Sequence, residues 1–240
     1  MYSTYLIKAV SFLLCFSQLH ILSPEKPSVT LKNQDLVLNK TITALNSIKK
    51  IKYQQKLSIN SATSGKSTEL MYDIYIEFLK EDPIIGFKFY QDAIDHSTIY
   101  DGTKLLSVDK KRSKKNLIEN PNKSNFKSLT FLFNSIITIR SNLLSISKNE
   151  NIEKDIKTIH LKGKDLYSIS FVLKNSALDR LGGIMATNKN EIWNYEILVD
   201  QKTFIPVEVR QSDIRNKDYY ITTFSDIEID KDYGYLISKI

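Results

Sequence analysis

The sequence predicts a mainly β protein of the α+β class: a strongly curved antiparallel sheet, or incomplete β-barrel, with helices covering its concave face. Apolar residues alternate with mostly polar ones in many segments, most clearly where Trp193, Tyr195, Ile197 and Val199 share one face of a strand. The segment 126–146 interrupts this pattern with dense apolar residues. Strands and helices do not alternate as they would in a parallel sheet. A long sheet with one apolar face and few helices is expected to curl around those helices.

The composition is that of a single globular domain. The chain has 240 residues, of which 42% are hydrophobic and 25% are charged, and both fractions are ordinary for a folded domain. The formal net charge is +7. Such an excess could help the protein approach an anionic surface, but because the lysines are scattered, a solvated, soluble surface is the favoured interpretation.

Residues 1–17 are predicted to be a signal peptide. Lys8 supplies the positive charge, and the apolar run that follows it is too short to cross a bilayer. Cleavage is expected before Gln18. Cys15, the only cysteine, is not expected to carry a lipid anchor, because Leu14 occupies the preceding position, where a small residue is required. The mature protein is therefore predicted to be exported to the periplasm without any cysteine.

Residues 18–35 are predicted to be a flexible lead-in, because they are largely polar and contain prolines, and residues 36–240 are predicted to be one folded domain. The domain should begin with a helix at 38–51, where apolar residues recur at spacings of three and four. Asp101-Gly102 favours a tight hairpin turn. Strands are expected around it and before it, at 53–59, 72–78, from 87 onward, 97–100 and 105–109.

The apolar segment 126–146 is predicted to form two short buried helices, separated at Asn134 and Ser135. A polar stretch at 148–157 follows it. The segment 178–189, which contains Gly182-Gly183, is predicted to be a loop or a short helix. The strands expected in this half of the domain are 159–161, 167–173, 193–199, 207–210 and 219–226.

The sequence contains no motif of an enzyme or of a metal site. His20, His96 and His160 do not occur at the spacing of metal ligands, and no serine lies in a nucleophile motif. Asp92, Asp95 and His96 resemble a small acid–base set, but three polar residues near a turn are more often only a loop. We therefore expect no catalysis, no cofactor and no metal.

A basic loop is predicted at 110–115. Its cations are Lys110, Lys111, Arg112, Lys114 and Lys115. The default interpretation is a solvated hairpin loop, and the alternative is transient contact with a membrane surface. Nucleic acid is not expected as a partner, because no aromatic residues are interleaved with the cations and the protein is predicted to be exported.

The apolar faces of the strands and of the segment 126–146 have two interpretations: a filled core, or an apolar cavity. A cavity would suit an acyl chain, since burial contributes about 0.8 kcal/mol per CH₂ without polar recognition. The residues predicted to line such a cavity are Tyr53, Leu57, Ile74, Ile76, Phe87, Phe89 and Trp193. Those predicted to close it are Phe131, Phe133, Ile136 and Ile137.

The order of these parts resembles the periplasmic lipoprotein carriers of the LolA/LolB-like superfamily. The similarity lies in the opening helix and first strand, Tyr100-Asp101-Gly102, the helical insert, Asp200 followed by Pro206, and the closing Phe224-Ser225-Asp226. It extends over nearly the whole domain 36–240. The resemblance implies a LolA-like fold and a non-enzymatic protein that holds a lipid acyl chain or a lipidated protein in an apolar cavity.

The chain is also similar to the N-terminal, non-thioredoxin region of some exported thiol-disulfide oxidoreductases. In that case it would be an orphan or truncated interaction module of a periplasmic redox protein. Its partner would then be another protein and not a lipid. A C-x-x-C domain encoded immediately downstream would favour this alternative.

Overall fold

A computed structural model describes residues 31–62, 65–187, 190–213, 215 and 217–239. The predicted signal peptide, Cys15 and the predicted lead-in before residue 31 lie outside these residues. Within them the chain forms thirteen strands, three α-helices and two 3₁₀ segments. None of the helices in this part of the chain has the length and apolar character needed to span a bilayer.

Helices and strands follow one another in the order of the predicted architecture. They are α1 (Leu31–Ser47), β1 (Lys50–Ser61), β2 (Lys66–Phe78), β3 (Phe87–Asp92), β4 (His96–Tyr100), β5 (Lys104–Asp109), β6 (Lys114–Glu119), α2 (Lys123–Phe126), a 3₁₀ turn (Thr130–Leu132), α3 (Ile136–Lys148), β7 (Lys154–Leu161), β8 (Lys164–Lys174), β9 (Ser176–Leu178), β10 (Ile184–Ala186), β11 (Ile192–Asp200), β12 (Pro206–Asp213), β13 (Tyr219–Ile229) and a second 3₁₀ segment (Gly234–Lys239).

Eleven strands form one antiparallel sheet, in the order β6-β5-β4-β3-β2-β1-β13-β12-β11-β8-β7. β9 and β10 form a separate two-stranded hairpin. Within the described residues the edge strands β6 and β7 do not pair with each other, so the sheet is not closed into a barrel. The predicted fold, a curved antiparallel sheet with helices on its concave face, is confirmed.

The main core lies between the sheet and the helices α1 and α3. Along β1, Ile51, Tyr53 and Leu57 share the face that packs against the helices and are at most 1% exposed, while the residues on the other face are half-buried. Leu45 of α1 and Ile137 of α3 belong to the same buried cluster. The apolar residues at every second position of the strands therefore pack against the apolar residues at helical spacing in α1 and α3.

The first helix differs from its predicted bounds of 38–51. It occupies Leu31–Ser47 and so begins inside the predicted lead-in. Ile51, which the helical spacing had placed in the helix, is a fully buried residue of β1. The carboxylate of Asp230 accepts a hydrogen bond from the backbone N–H of Lys50 at 3.0 Å and marks the entry into the sheet. The boundary thus depends on a residue 180 positions away.

The basic segment 110–115 is only partly a loop. Lys114 and Lys115 belong to β6 and pair with β5. The prediction was wrong for these two residues because β6 is an edge strand. Nearly all of its side chains are exposed, so its sequence shows no apolar alternation.

The insert contains α2, a 3₁₀ turn and α3 instead of two short helices. The predicted break at Asn134 and Ser135 is confirmed. Asn134 has a φ of 50°, in the left-handed region, which ends the preceding turn. The hydroxyl of Ser135 accepts a hydrogen bond from the N–H of Thr138 at 3.1 Å and caps α3.

Two other segments differ from the sequence prediction. The segment 178–189, expected to be a loop or short helix, contains the turn of the β9–β10 hairpin and β10 itself. Gly182 and Gly183 form that turn with φ values of 106° and 103°, which favour glycine. β7 starts at Lys154, within the polar stretch where no strand was predicted.

The second 3₁₀ segment covers part of the opposite face of the sheet, where no element was predicted. Ile237 packs there against Tyr75 and Ile99 in a small separate core. The ring of Tyr233 lies 5.9 Å from that of Tyr75. Strand β2 is therefore buried on both faces at this point.

Asp82 organises the connection between β2 and β3. Its Oδ1 accepts hydrogen bonds from the backbone N–H groups of Ile84, Ile85 and Gly86, and its Oδ2 accepts one from the hydroxyl of Tyr100 at 2.8 Å. Burial disfavours the charged carboxylate, but these hydrogen bonds outweigh burial and hold the pKa of Asp82 below its ordinary value.

Replacing Asp82 by Ala should destabilise the protein by about 2 kcal/mol at neutral pH, because three backbone N–H groups lose their acceptor and the hydroxyl of Tyr100 retains only the carbonyl of Gly102. Since the folded-state pKa is below the unfolded value of about 3.9, the carboxylate contributes fully above that value and loses its contribution as the pH falls through the folded-state pKa. Urea unfolding of wild type and variant at neutral pH and at about pH 2 should show a difference that shrinks in acid.

Glu150→Ala is the matched control, because Glu150 is exposed. It should change the unfolding free energy by less than about 0.5 kcal/mol at either pH. A difference between wild type and the Asp82 variant that is the same at both pH values would contradict the role assigned to the charged carboxylate.

Candidate functional site

The eleven predicted site residues lie in two different environments. Phe133 and Trp193 are half-buried and line one cleft. The other nine are at most 3% exposed and are packed between the sheet and the helices: Tyr53, Leu57, Ile74, Ile76, Phe87, Phe89, Phe131, Ile136 and Ile137. The rings of Phe89 and Phe131, for example, are 5.0 Å apart. A role for these nine residues as ligand contacts stays a prediction.

The buried core is not wholly apolar. Within the described part of the chain, three buried polar atoms of this core have no hydrogen-bond partner: the hydroxyls of Tyr53 and Thr222 and the Oε1 of Gln55. Burial raises the pKa of Tyr53 far above its ordinary value, so this phenol stays neutral. The Nε2 of Gln55 donates to the carbonyl of Phe131 at 2.8 Å and attaches the insert to β1. An unpartnered buried polar atom costs about 1–3 kcal/mol, so this core is not optimised for stability alone.

An aromatic cleft opens between the insert, the first residues of β11 and β13, and the β9–β10 hairpin. Its volume is about 450 Å³, which is within the range of small-molecule sites. The ring centroid of Tyr220 lies 5.1 Å from that of Phe133 and 5.9 Å from that of Trp193. The hairpin adds Ala177, Leu178 and Met185 to the lining.

Strand register brings these rings together. Tyr220 of β13 pairs with Gln211 of β12, which pairs with Tyr195 of β11. Trp193, two residues before Tyr195, therefore shares their face. The Nδ2 of Asn134 donates to the Oε1 of Gln211 at 2.9 Å and holds the insert against the floor of the cleft. This hydrogen bond thereby keeps the adjacent Phe133 over the sheet.

Sequence reasoning did not select Tyr220. Its signal was available, since Tyr220 alternates with Thr222 and Phe224 and so belongs to the concave face. Alternation alone does not tell which strands are neighbours, however, and only the pairing of β13 with β12 places Tyr220 beside Trp193.

Arg180 lies at the rim of the aromatic cleft, and sequence reasoning missed it as well. Its guanidinium is 5.6 Å from the ring centroid of Phe133, and Nη1 donates to the carbonyls of Lys127 and Leu129 at 3.0 and 3.2 Å. Burial lowers the pKa of Arg180, and Asp179 acts in the opposite direction. An arginine remains protonated at neutral pH, so the rim keeps a positive charge.

Asn142 of α3 attaches the β9–β10 hairpin to the helix. This side chain is fully buried. Its Nδ2 donates to the carbonyls of Thr138 and Asp179, and its Oδ1 accepts from the N–H of Gly183, at 2.8 Å in each case. The amide thus holds one wall of the aromatic cleft in place.

The three residues weighed as an acid–base set belong to two separate pairs. The Oδ1 of Asp95 lies 2.7 Å from the Nδ1 of His96, whereas Asp92 pairs with Lys110 at 2.7 Å. The hydrogen bond from His96 holds the pKa of Asp95 below its ordinary value. Among the described residues, no three or more His, Cys, Asp or Glu side chains are grouped to hold a metal ion.

No protein-family model and no curated protein matches the chain. Among solved structures, LprF from Mycobacterium bovis matches with 10% identity and a TM-score of 0.47, over 84% of this chain and 95% of that one. A putative outer membrane lipoprotein-sorting protein domain from Vibrio parahaemolyticus matches with 8% identity and a TM-score of 0.36, over 86% and 97% of the two chains. A LolA superfamily protein from Nitrosomonas europaea matches with 8% identity and a TM-score of 0.32, over 86% and 97%.

The superfamily that the sequence resembles is thus found again among structurally similar proteins.

Replacing Asn142 by Ala should release the β9–β10 hairpin from α3, because it removes three hydrogen bonds and leaves the N–H of Gly183 without its acceptor. We expect a loss of about 1–3 kcal/mol in unfolding free energy. Amide hydrogen exchange should accelerate more in the hairpin than in the large sheet.

Ser145→Ala, at an exposed position of the same helix, should leave stability and exchange unchanged. Acceleration spread evenly over the whole sheet would show that Asn142 supports the entire core and not the hairpin in particular.

Proposed function

We propose that the protein is an exported, non-enzymatic binding protein that holds a lipid acyl chain, free or attached to a protein, and that the aromatic cleft admits this chain. The observation that carries the proposal is the cleft itself. Three partly exposed aromatic rings meet there between the sheet and the insert, with apolar residues of a hairpin on the third side. Partly exposed rings in a concave site offer apolar area to a ligand.

The size of the hydrophobic contribution makes such binding feasible without a reactive site. Chains of about ten to fifteen methylenes contribute about 8–12 kcal/mol on leaving water. Association costs about 4 kcal/mol or more. Dissociation constants in the micromolar to millimolar range are therefore expected.

The rim of the cleft carries charges of both signs. Lys127 and Arg180 line it together with Asp179 and Glu191, and the indole N–H of Trp193 donates to the Oε2 of Glu191 at 3.2 Å. The polar end of the ligand therefore needs no net charge. A phospholipid headgroup or the polar backbone of an acylated peptide fits this requirement equally well.

The nine buried residues predicted from the sequence remain part of the proposal as a deeper site. In the described conformation, side chains fill the space between these residues. An acyl chain that penetrates beyond the cleft therefore has to displace rings such as that of Phe131. The insert is attached to the sheet there by the hydrogen bond between Gln55 and Phe131. Entry at the cleft needs no such rearrangement.

Trp193 is the only tryptophan of the chain, so its fluorescence reports on the aromatic cleft. Titration with lauric acid or with a lysophosphatidylcholine should shift its emission to the blue and saturate in the micromolar to millimolar range. Tyr220→Asp should abolish the shift, because it places a charge in the apolar contact surface.

Tyr235→Asp is the control, since Tyr235 is 64% exposed and lies outside the cleft. It should bind like wild type. A folded protein whose emission responds to neither probe would overturn the proposed cleft. Lipid retained on extraction from both wild type and Tyr220→Asp would move the site to the buried residues, and a protein partner without lipid would favour the interaction-module alternative.

We also propose that two neighbouring hairpin tips contact an anionic membrane surface. Ile94, at the tip between β3 and β4, is 95% exposed. The backbone N–H of Lys110, at the tip between β5 and β6, donates to the carbonyl of Asp95 at 2.9 Å, so the two tips adjoin. An exposed isoleucine beside cations is the composition of an interfacial membrane contact.

The charge at the tips is moderate. Lys110, Lys111 and Arg112 each form an ion pair, with Asp92, Asp95 and Asp109 respectively. With Lys114 and Lys115, five cations face three carboxylates, and 5 − 3 leaves a net charge of +2. At about 1 kcal/mol per unpaired cation, the contact should be weak, transient and sensitive to salt.

Co-sedimentation with phosphatidylcholine vesicles that contain phosphatidylglycerol should detect this contact at low salt and lose it at high salt. Ile94→Asp should weaken binding severalfold, because it removes the apolar residue and adds a negative charge. Leu144→Asp, which changes a leucine that is 43% exposed on α3, should have no effect. Equal binding to neutral and anionic vesicles would contradict the contact.

A further inference from the structure

A second pocket, which we call the polar pocket, lies between strands β3–β5 and residues 128–131 of the insert. Its volume is about 470 Å³. No residue lines both this pocket and the aromatic cleft. Phe131 lines the polar pocket and Phe133 the cleft, so the two sites lie on either side of the same 3₁₀ turn.

The floor of the polar pocket is a row of polar side chains on the concave face. Gln91 of β3 pairs with Thr98 of β4, which pairs with Ser107 of β5. The neighbouring row on the same face, two residues away along each strand, is mostly apolar. In it Phe89 pairs with Tyr100, which pairs with Leu105 of β5. The concave face therefore changes from apolar to polar over two residues along the strands.

This change is not simply the exposed rim of a sheet. Gln91 is 1% exposed and Thr98 is 3% exposed. The Nε2 of Gln91 is buried and has no hydrogen-bond partner among the residues that the structure describes. A buried amide that lacks a partner costs stability, and a ligand that occupies the pocket and accepts a hydrogen bond would remove this cost.

The sides of the pocket supply further donors and acceptors. The Asp95–His96 pair forms one side, and the ring of His96 packs 6.1 Å from that of Tyr72. Asp109, whose Oδ1 accepts from the N–H of Arg112 at 2.9 Å, lies on another side. The insert contributes Ser128 and Thr130 to the lining.

The charges of the pocket limit the class of ligand. Asp95 and Asp109 both line it, and an anion would face these two carboxylates. Lys111 lines it too and pairs with Asp95 at 3.5 Å, which disfavours a cation. Hydroxyl and amide groups that donate and accept suit a neutral ligand with the same capacity.

We propose that the polar pocket binds a neutral polyhydroxylated molecule of about the size of one sugar unit. The row Gln91–Thr98–Ser107 hydrogen-bonds its hydroxyls, and Phe131 and Leu129 cover its less polar face. This binding does not depend on the aromatic cleft. A protein of this kind would hold a saccharide at one side of the insert independently of an acyl chain that occupies the cleft at the other.

The test is an NMR titration of the full-length, isotope-labelled chain with glucose, N-acetylglucosamine and myo-inositol. At least one probe should shift the side-chain amide of Gln91 and the backbone amides of Thr98 and Ser107, with saturation in the millimolar range. Gln91→Leu should weaken this binding by at least about tenfold. The same variant should raise the thermal midpoint, because it removes an unpartnered amide at similar side-chain volume.

Thr222→Val is the matched control, since the hydroxyl of Thr222 is also buried without a partner but lies outside the pocket. It should raise the midpoint and leave sugar binding unchanged. Ser107→Ala alters a half-buried position of the floor and provides a second variant if Gln91→Leu does not fold; it should weaken binding severalfold.

Three results would overturn the proposal. The first is a titration in which none of the three sugars shifts these resonances. The second is sugar binding that persists unchanged in both floor variants. The third is a shift of the same resonances by sodium sulfate but not by the sugars, which would make the pocket an anion site.

Discussion

The structure depends on the burial of the apolar part of the concave face of an open eleven-stranded sheet. β6 and β7 are the two edges of that sheet, and they are consecutive strands in the chain. The chain therefore has to travel from one edge to the other, and it does so across the concave face as α2, the 3₁₀ turn and α3. The crossing connection and the covering layer are the same segment. The apolar density of residues 131–146 follows from this position, because this part of the segment packs one face against the sheet.

Polar contacts fix this crossing segment at several points, including the hydrogen bonds from Arg180 to the carbonyls of Lys127 and Leu129. Gln55 of β1 donates to the carbonyl of Phe131, Asn134 donates to Gln211, and Asn142 holds the β9–β10 hairpin. Just after the C-terminal end of α1, the carbonyl of Ile48 accepts a hydrogen bond from Arg140 of α3 at 2.8 Å. Between these anchors the segment leaves concave space on both of its sides. Aromatic residues line one side and hydrogen-bonding residues the other, so one covering segment separates two sites of different chemistry.

The sequence predicted most of the strands, because half-buried strands such as β1 and β11 show alternation directly. It failed where alternation was absent or ambiguous. Ile51 fitted both a helical spacing and a strand spacing, and β6 exposes nearly all its side chains. Of the residues that line the candidate cleft, the sequence analysis had selected two. Phe133 and Trp193 do line a cleft, while Tyr220 and Arg180 were missed because they join the cleft only through strand pairing and through the packing of the hairpin against the insert.

The sequence by itself determined the features that depend on local interactions. These are the apolar face of each strand, the turn at Asp101-Gly102 and the break at Ser135. These features depend on residues within a few positions of one another, so they can be read from spacing and residue type. The tertiary structure alone decided which apolar residues fill the core and which remain accessible in the aromatic cleft. It also decided that Gln91, Thr98 and Ser107 form one row. Pairing and packing join residues far apart in the chain, and the accessibility of each side chain depends on all the elements that surround it.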